Sequence, residues 1–129
     1  MRTVSVLLLA GALGWMVQPA AGEALDGASI ALDRSRGGDC GICHELPAGD
    51  SSQQGNVGPS LVDVGTRLSV DEIRRVITDP RALNPESIMP RYGMRSGRYR
   101  MDFRWRGEPL LEPDEIDAIA RWLAATGVD

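Results

Sequence analysis

Apolar residues recur at helical spacing along this chain and almost nowhere alternate in the way a half-buried strand requires. Ile116, Ile119, Ala120 and Leu123 form one stripe at i, i+3, i+4 and i+7. The helix they predict opens on Pro113, carries Asp114 and Glu115 at its positive end and closes at Gly127. Val70, Ile73, Val76 and Ile77 repeat the period behind a complete start signal. Ser69 is the N-cap, Glu72 completes a capping box, and Leu68 and Ile73 are placed as a hydrophobic staple; Asp79-Pro80 stops the run. A shorter helix is predicted from Gly27 to Arg36 on Ile30, Ala31 and Leu32, ended by Gly37-Gly38. Glu45 to Ser60 is dense in Pro, Gly, Asp and Ser and reads as loop.

The first 22 residues carry a different pattern. Arg2 precedes an apolar run from Val4 to Val17, and Ala20-Ala21-Gly22 or Gly22-Glu23-Ala24 offers small residues for cleavage. This is the layout of a secretory signal peptide, and the run is shorter than the ~20 residues of a spanning helix. The expectation is an exported, periplasmic protein without stable membrane insertion, residues 23–129 forming one domain. From Glu23 onward the chain holds 13 arginines, no lysine and 18 acidic residues. That balance argues against a nucleic-acid partner. With one phenylalanine and two tyrosines, the core is expected to need a further apolar body at its centre.

Cys40-Gly41-Ile42-Cys43-His44 supplies that body: the spacing is that of a c-type haem attachment site. Thiols at Cys40 and Cys43 add to the two porphyrin vinyl groups, and His44 becomes the proximal iron ligand. A structural disulfide would leave His44 unexplained. A thioredoxin-like dithiol wants a βαβ context, and a structural zinc site wants four ligands where this chain has two cysteines and one histidine. The expectation is therefore an all-α domain, class I cytochrome c-like, with about three to four helices around one covalently bound haem c.

Because His44 is the only histidine, ligation by two histidines of this chain is excluded. Methionines beyond the leader are Met89, Met94 and Met101. Met89 is the preferred sixth ligand. It follows the second predicted helix in the run Asn84-Pro85-Glu86-Ser87-Ile88-Met89-Pro90, whose prolines restrict the backbone. The competing reading is an adaptable core filler. On the proximal side, the free ring nitrogen of His44 is expected to donate to a backbone carbonyl, with that of Pro59 as acceptor; Pro59 as plain turn punctuation is the alternative.

The residues Gly38-Asp39-Cys40-Gly41-Ile42-Cys43-His44 with Pro47, then Gly55-Asn56-Val57-Gly58-Pro59-Ser60-Leu61, resemble the SoxX family, monohaem cytochrome subunits of the bacterial sulfur-oxidation system. The likeness continues through Val64-Gly65, Arg67, Ile77, Asp79-Pro80, Asn84-Pro85 and Met89-Pro90 to the helix from Glu112 to Ala125. The resemblance implies a class I cytochrome c fold with His44 and Met89 on the iron. It also implies a heterodimer with SoxA that oxidatively joins thiosulfate to a cysteine of the SoxYZ carrier. SoxX would take the two electrons one at a time and pass them to a downstream soluble cytochrome c. By this reading the chain is an electron-accepting subunit, not catalytic alone, of an L-cysteine S-thiosulfotransferase. The departure from the family pattern follows Met89-Pro90, where Arg91-Tyr92-Gly93 replaces the usual small and aromatic residues.

An arginine-rich strip begins there, with Arg91, Arg95, Arg98, Arg100, Arg104 and Arg106. It reads either as a docking surface for an acidic partner or anionic substrate, or as a solvated face pairing with propionates and nearby carboxylates. Two further functions compete: a free-standing electron shuttle, against which the lack of lysine speaks, and an enzyme with an open haem position, which needs Met89 off the iron.

Overall fold

A computed structural model describes residues 24–36, 39–95 and 107–127. The segment expected to be a signal peptide, Met101 and the arginines from Arg98 to Arg106 lie outside them. Helix α1 spans Gly27–Leu32, α2 Val70–Thr78 and α3 Pro113–Ala124, joined by short 3₁₀ turns, with no strand among the described residues. Both α1 and α2 pack on α3. The all-α expectation is met.

Each helix has a local cause. The Ser69 side chain accepts from the Glu72 N–H while the Glu72 carboxylate accepts from the Ser69 N–H at 2.8 Å, the reciprocal cap read from the sequence. In α3 the Glu112 N–H donates to the Glu115 carboxylate at 2.9 Å behind Pro113. Ile116, Ile119, Ala120 and Leu123 are all buried, as their spacing required, and Gly127 takes the left-handed conformation that ends the run at φ 70°.

Helix α1 is shorter than its sequence pattern. It stops at Leu32, and Arg34–Arg36 is a separate 3₁₀ turn. The reason is Asp33, whose carboxylate accepts from the Ser35 N–H at 2.8 Å and from its hydroxyl at 2.6 Å. That local turn competes with the helical ladder. Within the expected loop from Glu45 to Ser60, Ser51–Gln53 likewise forms one 3₁₀ turn, capped by Asp50.

The α1–α3 crossing rests on small residues. A Cβ placed on Gly27 would lie 2.3 Å from the Ala118 carbonyl oxygen, and Ala31 and Ala120 are fully buried nearby in the same core. Gly27→Ala should therefore push the helices apart and cost about 1–3 kcal/mol, read as a lower denaturant midpoint at unchanged slope. Arg74 of α2 ties the other side, pairing with Asp117 of α3, which also pairs with Arg121.

Hydrogen bonds also fix how the fold responds to acid. Asp26 is held below the usual carboxylate range by Ser29, Asp50 by Ser52, Glu72 by the Ser69 N–H and Asp79 by Arg91. Depressed folded-state values mean these contributions are complete above the ordinary carboxylate value, about pH 4, and fade as pH falls through the lower folded values. Denaturant midpoints measured against pH should be level near neutrality and drop below about pH 4; a midpoint that rises on acidification would contradict this.

Candidate haem site

Cys40–Ile42 forms a single 3₁₀ turn, from which the His44 N–H returns to the Cys40 carbonyl at 3.0 Å. The tight turn is what a two-residue spacer between attachment points requires. No disulfide joins Cys40 and Cys43. Burial, reinforced by the neighbouring Asp39 carboxylate, pushes the Cys40 thiol up to about 11. Asp39 is itself engaged by Arg34 Nε at 2.7 Å.

The run from Gly55 to Leu61 is laced along this turn. The Gly55 N–H donates to the Gly41 carbonyl at 2.8 Å, that of Gly58 to Cys43 at 2.7 Å and that of Leu61 to Glu45 at 2.8 Å. Such an approach leaves no room for side chains. A Cβ on Gly55 would sit 2.0 Å from the Ile42 oxygen, and one on Gly58 would sit 2.2 Å from His44 Cε1. The imidazole thus lies flat against backbone at Gly58, and its Nδ1 is 2.7 Å from the Pro59 carbonyl oxygen. A carbonyl can only accept, so Nδ1 carries a proton, and in the neutral ring the lone pair is then on Nε2. That tautomer is the one a metal-ligating histidine needs.

Gly58→Ala tests this seating. The added methyl must displace the ring or the loop and break the bond to Pro59, at a cost of about 1–3 kcal/mol. At about 4–8 °C per kcal/mol for a domain of this size, the melting midpoint should fall visibly; an unchanged midpoint would contradict the geometry.

These elements border a cleft of about 810 Å³. Cys40, Cys43, His44 and Pro59 lie on its wall, with Leu61, Val64 and Leu68 from the following segment, Ile73, Val76 and Ile77 from α2, and Ile119 and Leu123 from α3. Met89 lines the same cleft and packs against the core. Met94, by contrast, is 36% exposed and is not among the lining residues, and Met101 lies outside the described residues. The fold thus brings Met89 and His44, far apart in sequence, to one cleft.

The donor set and the cleft fit a haem. The lining is largely apolar, as a macrocycle requires. Cys40, Cys43 and His44 lie along one cleft, and Met89 lines the same space. Among the described residues no three His, Cys, Asp or Glu side chains gather as a metal cluster would need.

Three residues that the sequence presented as a departure prove structural. Tyr92 is 7% exposed and lines the cleft; burial, with Cys40, Cys43 and Asp39 nearby, raises its phenol above the ordinary value. Its N–H donates to the Ile77 carbonyl at 3.2 Å and its carbonyl accepts from Leu110 at 2.9 Å and Leu111 at 3.1 Å. Gly93 approaches Thr78 so closely that a Cβ would meet its methyl at 2.8 Å. Arg91 makes a two-pronged pair with Asp79. Arg91 is therefore held inward as an ion pair, while the strip's later members from Arg98 to Arg106 lie outside the described residues.

No helix among the described residues is long and apolar enough to cross a membrane. No family model matches the sequence, and no curated protein matches it. Among solved structures, a chain of the crystal structure of SoxXA from P. pantotrophus is similar in fold, with a TM-score of 0.66 over 77% of this chain and 77% of that one, at 21% identity. The helical architecture expected from the sequence is thus shared with a chain of that assembly.

Proposed function

We propose that this chain is a periplasmic monohaem cytochrome c acting as the electron-accepting, SoxX-like subunit of a heterodimer with a SoxA-like partner. The observation that carries the cytochrome reading is the apolar cleft onto which the Cys40 and Cys43 thiols, the Pro59-tethered His44 and the Met89 thioether all converge. Cys40 and Cys43 would hold the porphyrin by thioether bonds, and His44 and Met89 would be its iron ligands. When bound, the haem supplies a one-electron redox centre, and methionine–histidine ligation raises its potential. A filled sixth position leaves outer-sphere electron transfer as the activity. His44 keeps its proton on Nδ1 by donation to Pro59, and the apolar wall excludes water.

Three observations support the partner reading. The runs Gly-Asn-Val-Gly-Pro-Ser-Leu and Asp-Pro, Asn-Pro, Met-Pro resemble SoxX sequences, and the fold is similar to a chain of SoxXA. The mouth of the cleft also carries apolar side chains: Val57 is 64%, Leu83 57% and Ile88 80% exposed. An apolar rim suits a lasting interface better than a charged one. In that assembly, thiosulfate would be joined oxidatively to a carrier cysteine of SoxYZ, releasing two electrons that this subunit relays singly to a soluble cytochrome c.

Co-expression with the SoxA-like cytochrome of the same organism tests this. The expected result is a one-to-one complex whose haem on this chain is reduced by thiosulfate and the carrier together. A strictly monomeric native protein that shuttles electrons to an oxidase unaided would overturn the partner reading.

A further inference from the structure

The segment carrying Met89 leaves the end of α2 at Asp79 and returns to it at Arg91. Its two ends are joined side chain to side chain: Arg91 Nε donates to Asp79 Oδ1 at 2.9 Å and Nη2 to Oδ2 at 2.7 Å. Both partners are substantially shielded, with side-chain exposures of 33% and 20%. Two parallel charge-assisted bonds fix orientation as well as distance, which a single-point contact does not. Asp79 also accepts from the Arg81 N–H at 3.2 Å, so the same carboxylate organises the turn Pro80–Ala82 that starts the loop.

Inside the loop the bonds are local and lighter. Asn84 N–H reaches the Pro80 carbonyl at 2.9 Å, Ser87 N–H the Asn84 carbonyl at 3.0 Å, and Arg81 Nε the Ser87 carbonyl at 3.2 Å. Met89 itself is tied through its N–H to Ser87 Oγ, at a long 3.3 Å. The next rigid anchor toward the C-terminus is Arg91, one residue beyond Pro90, whose ring fixes the intervening φ. Beyond Arg91 the chain is pinned to α2 by the backbone bonds of Tyr92 and Gly93.

We infer that the Asp79–Arg91 pair is a clasp that keeps Met89 on the iron, making Arg91 and Asp79 positioning residues for the sixth ligand. The inference rests on the reading of Met89 as that ligand. The Tyr92 and Gly93 backbone bonds already close the base of the loop, and the clasp adds a fixed orientation of its two ends, which limits how far the thioether can swing away. Opening the clasp loosens the loop while leaving α2, α3 and the proximal turn intact.

The test is cyanide binding to the ferric holoprotein, a readout of Met89 leaving the iron, followed beside the weak far-red charge-transfer band of sulfur ligation and the helical circular dichroism. Arg91→Gln and Asp79→Asn should each bind cyanide about tenfold faster than wild type, with helical signal retained. Arg91→Lys, which keeps the charge but not the fork, should fall between, and decides the matter if Arg91→Gln does not fold. Wild-type rates in all folded variants would overturn the clasp and leave Met89 ligation standing. A wild-type protein that lacks the far-red band and binds cyanide as fast as Met89→Ala would overturn both.

Discussion

Replacing Met89 by alanine should abolish the far-red charge-transfer band of the ferric protein, lower its reduction potential and raise its affinity for cyanide or imidazole by about a hundredfold or more. The first two effects follow from losing a thioether that favours ferrous iron. The third follows because an external ligand no longer competes with a tethered one. No other described methionine can substitute, since Met94 stands outside the cleft. Persistence of the band in Met89→Ala, measured by optical spectroscopy, would transfer the ligand role to another residue.

Withholding the haem should have a still broader effect. Expressed without covalent attachment, as by a Cys40→Ala, Cys43→Ala double variant, the chain should lose cooperative thermal unfolding and near-ultraviolet dichroism. The cleft of about 810 Å³ lies between α2, α3 and the loops that carry His44 and Met89. Leu61, Leu68, Val76 and Met89 line it while only part-buried. Covering a side chain of that kind is worth about 1.5–3 kcal/mol when complete, so even partial cover of several is a large share of a typical stability of about 5–15 kcal/mol. A sharp, wild-type-like melting transition in the haem-free protein would show that the cofactor is not part of the core.

Much of this architecture was legible in the residues, for identifiable reasons. Helix α2 announced itself because Ser69, Glu72, Leu68 and Ile73 form a start signal that is read locally and depends on nothing distant. The stripe of α3 was equally plain, since burial at period 3.6 is visible without knowing the partner surface. The end of α1 was not, because the Asp33 side chain competes with the helix there and no periodicity records that. His44 to Pro59 was foreseeable as a hydrogen bond, but the demand for glycine at positions 55 and 58 was not: the run looks like turn chemistry until the His44 ring and the Ile42 carbonyl are seen pressed against it. Gly27 and Gly65 are similar, each marking a close approach to α3 that only the tertiary structure contains.

Arg91-Tyr92-Gly93 is the clearest lesson in the opposite direction. As sequence, these residues interrupt a pattern and join a basic strip. In the structure each does something different. Arg91 pairs with Asp79, Tyr92 fills the cleft wall, and Gly93 lets the chain cross Thr78. Charge runs hide such division of labour, because a guanidinium held by a carboxylate looks the same in sequence as one in solvent.

Intact mass spectrometry of the native protein under denaturing conditions decides whether the haem is covalently bound. The expected result is a processed chain heavier than its polypeptide by one haem, the addition surviving denaturation because two thioethers hold it. A native, folded chain at its bare polypeptide mass would contradict it.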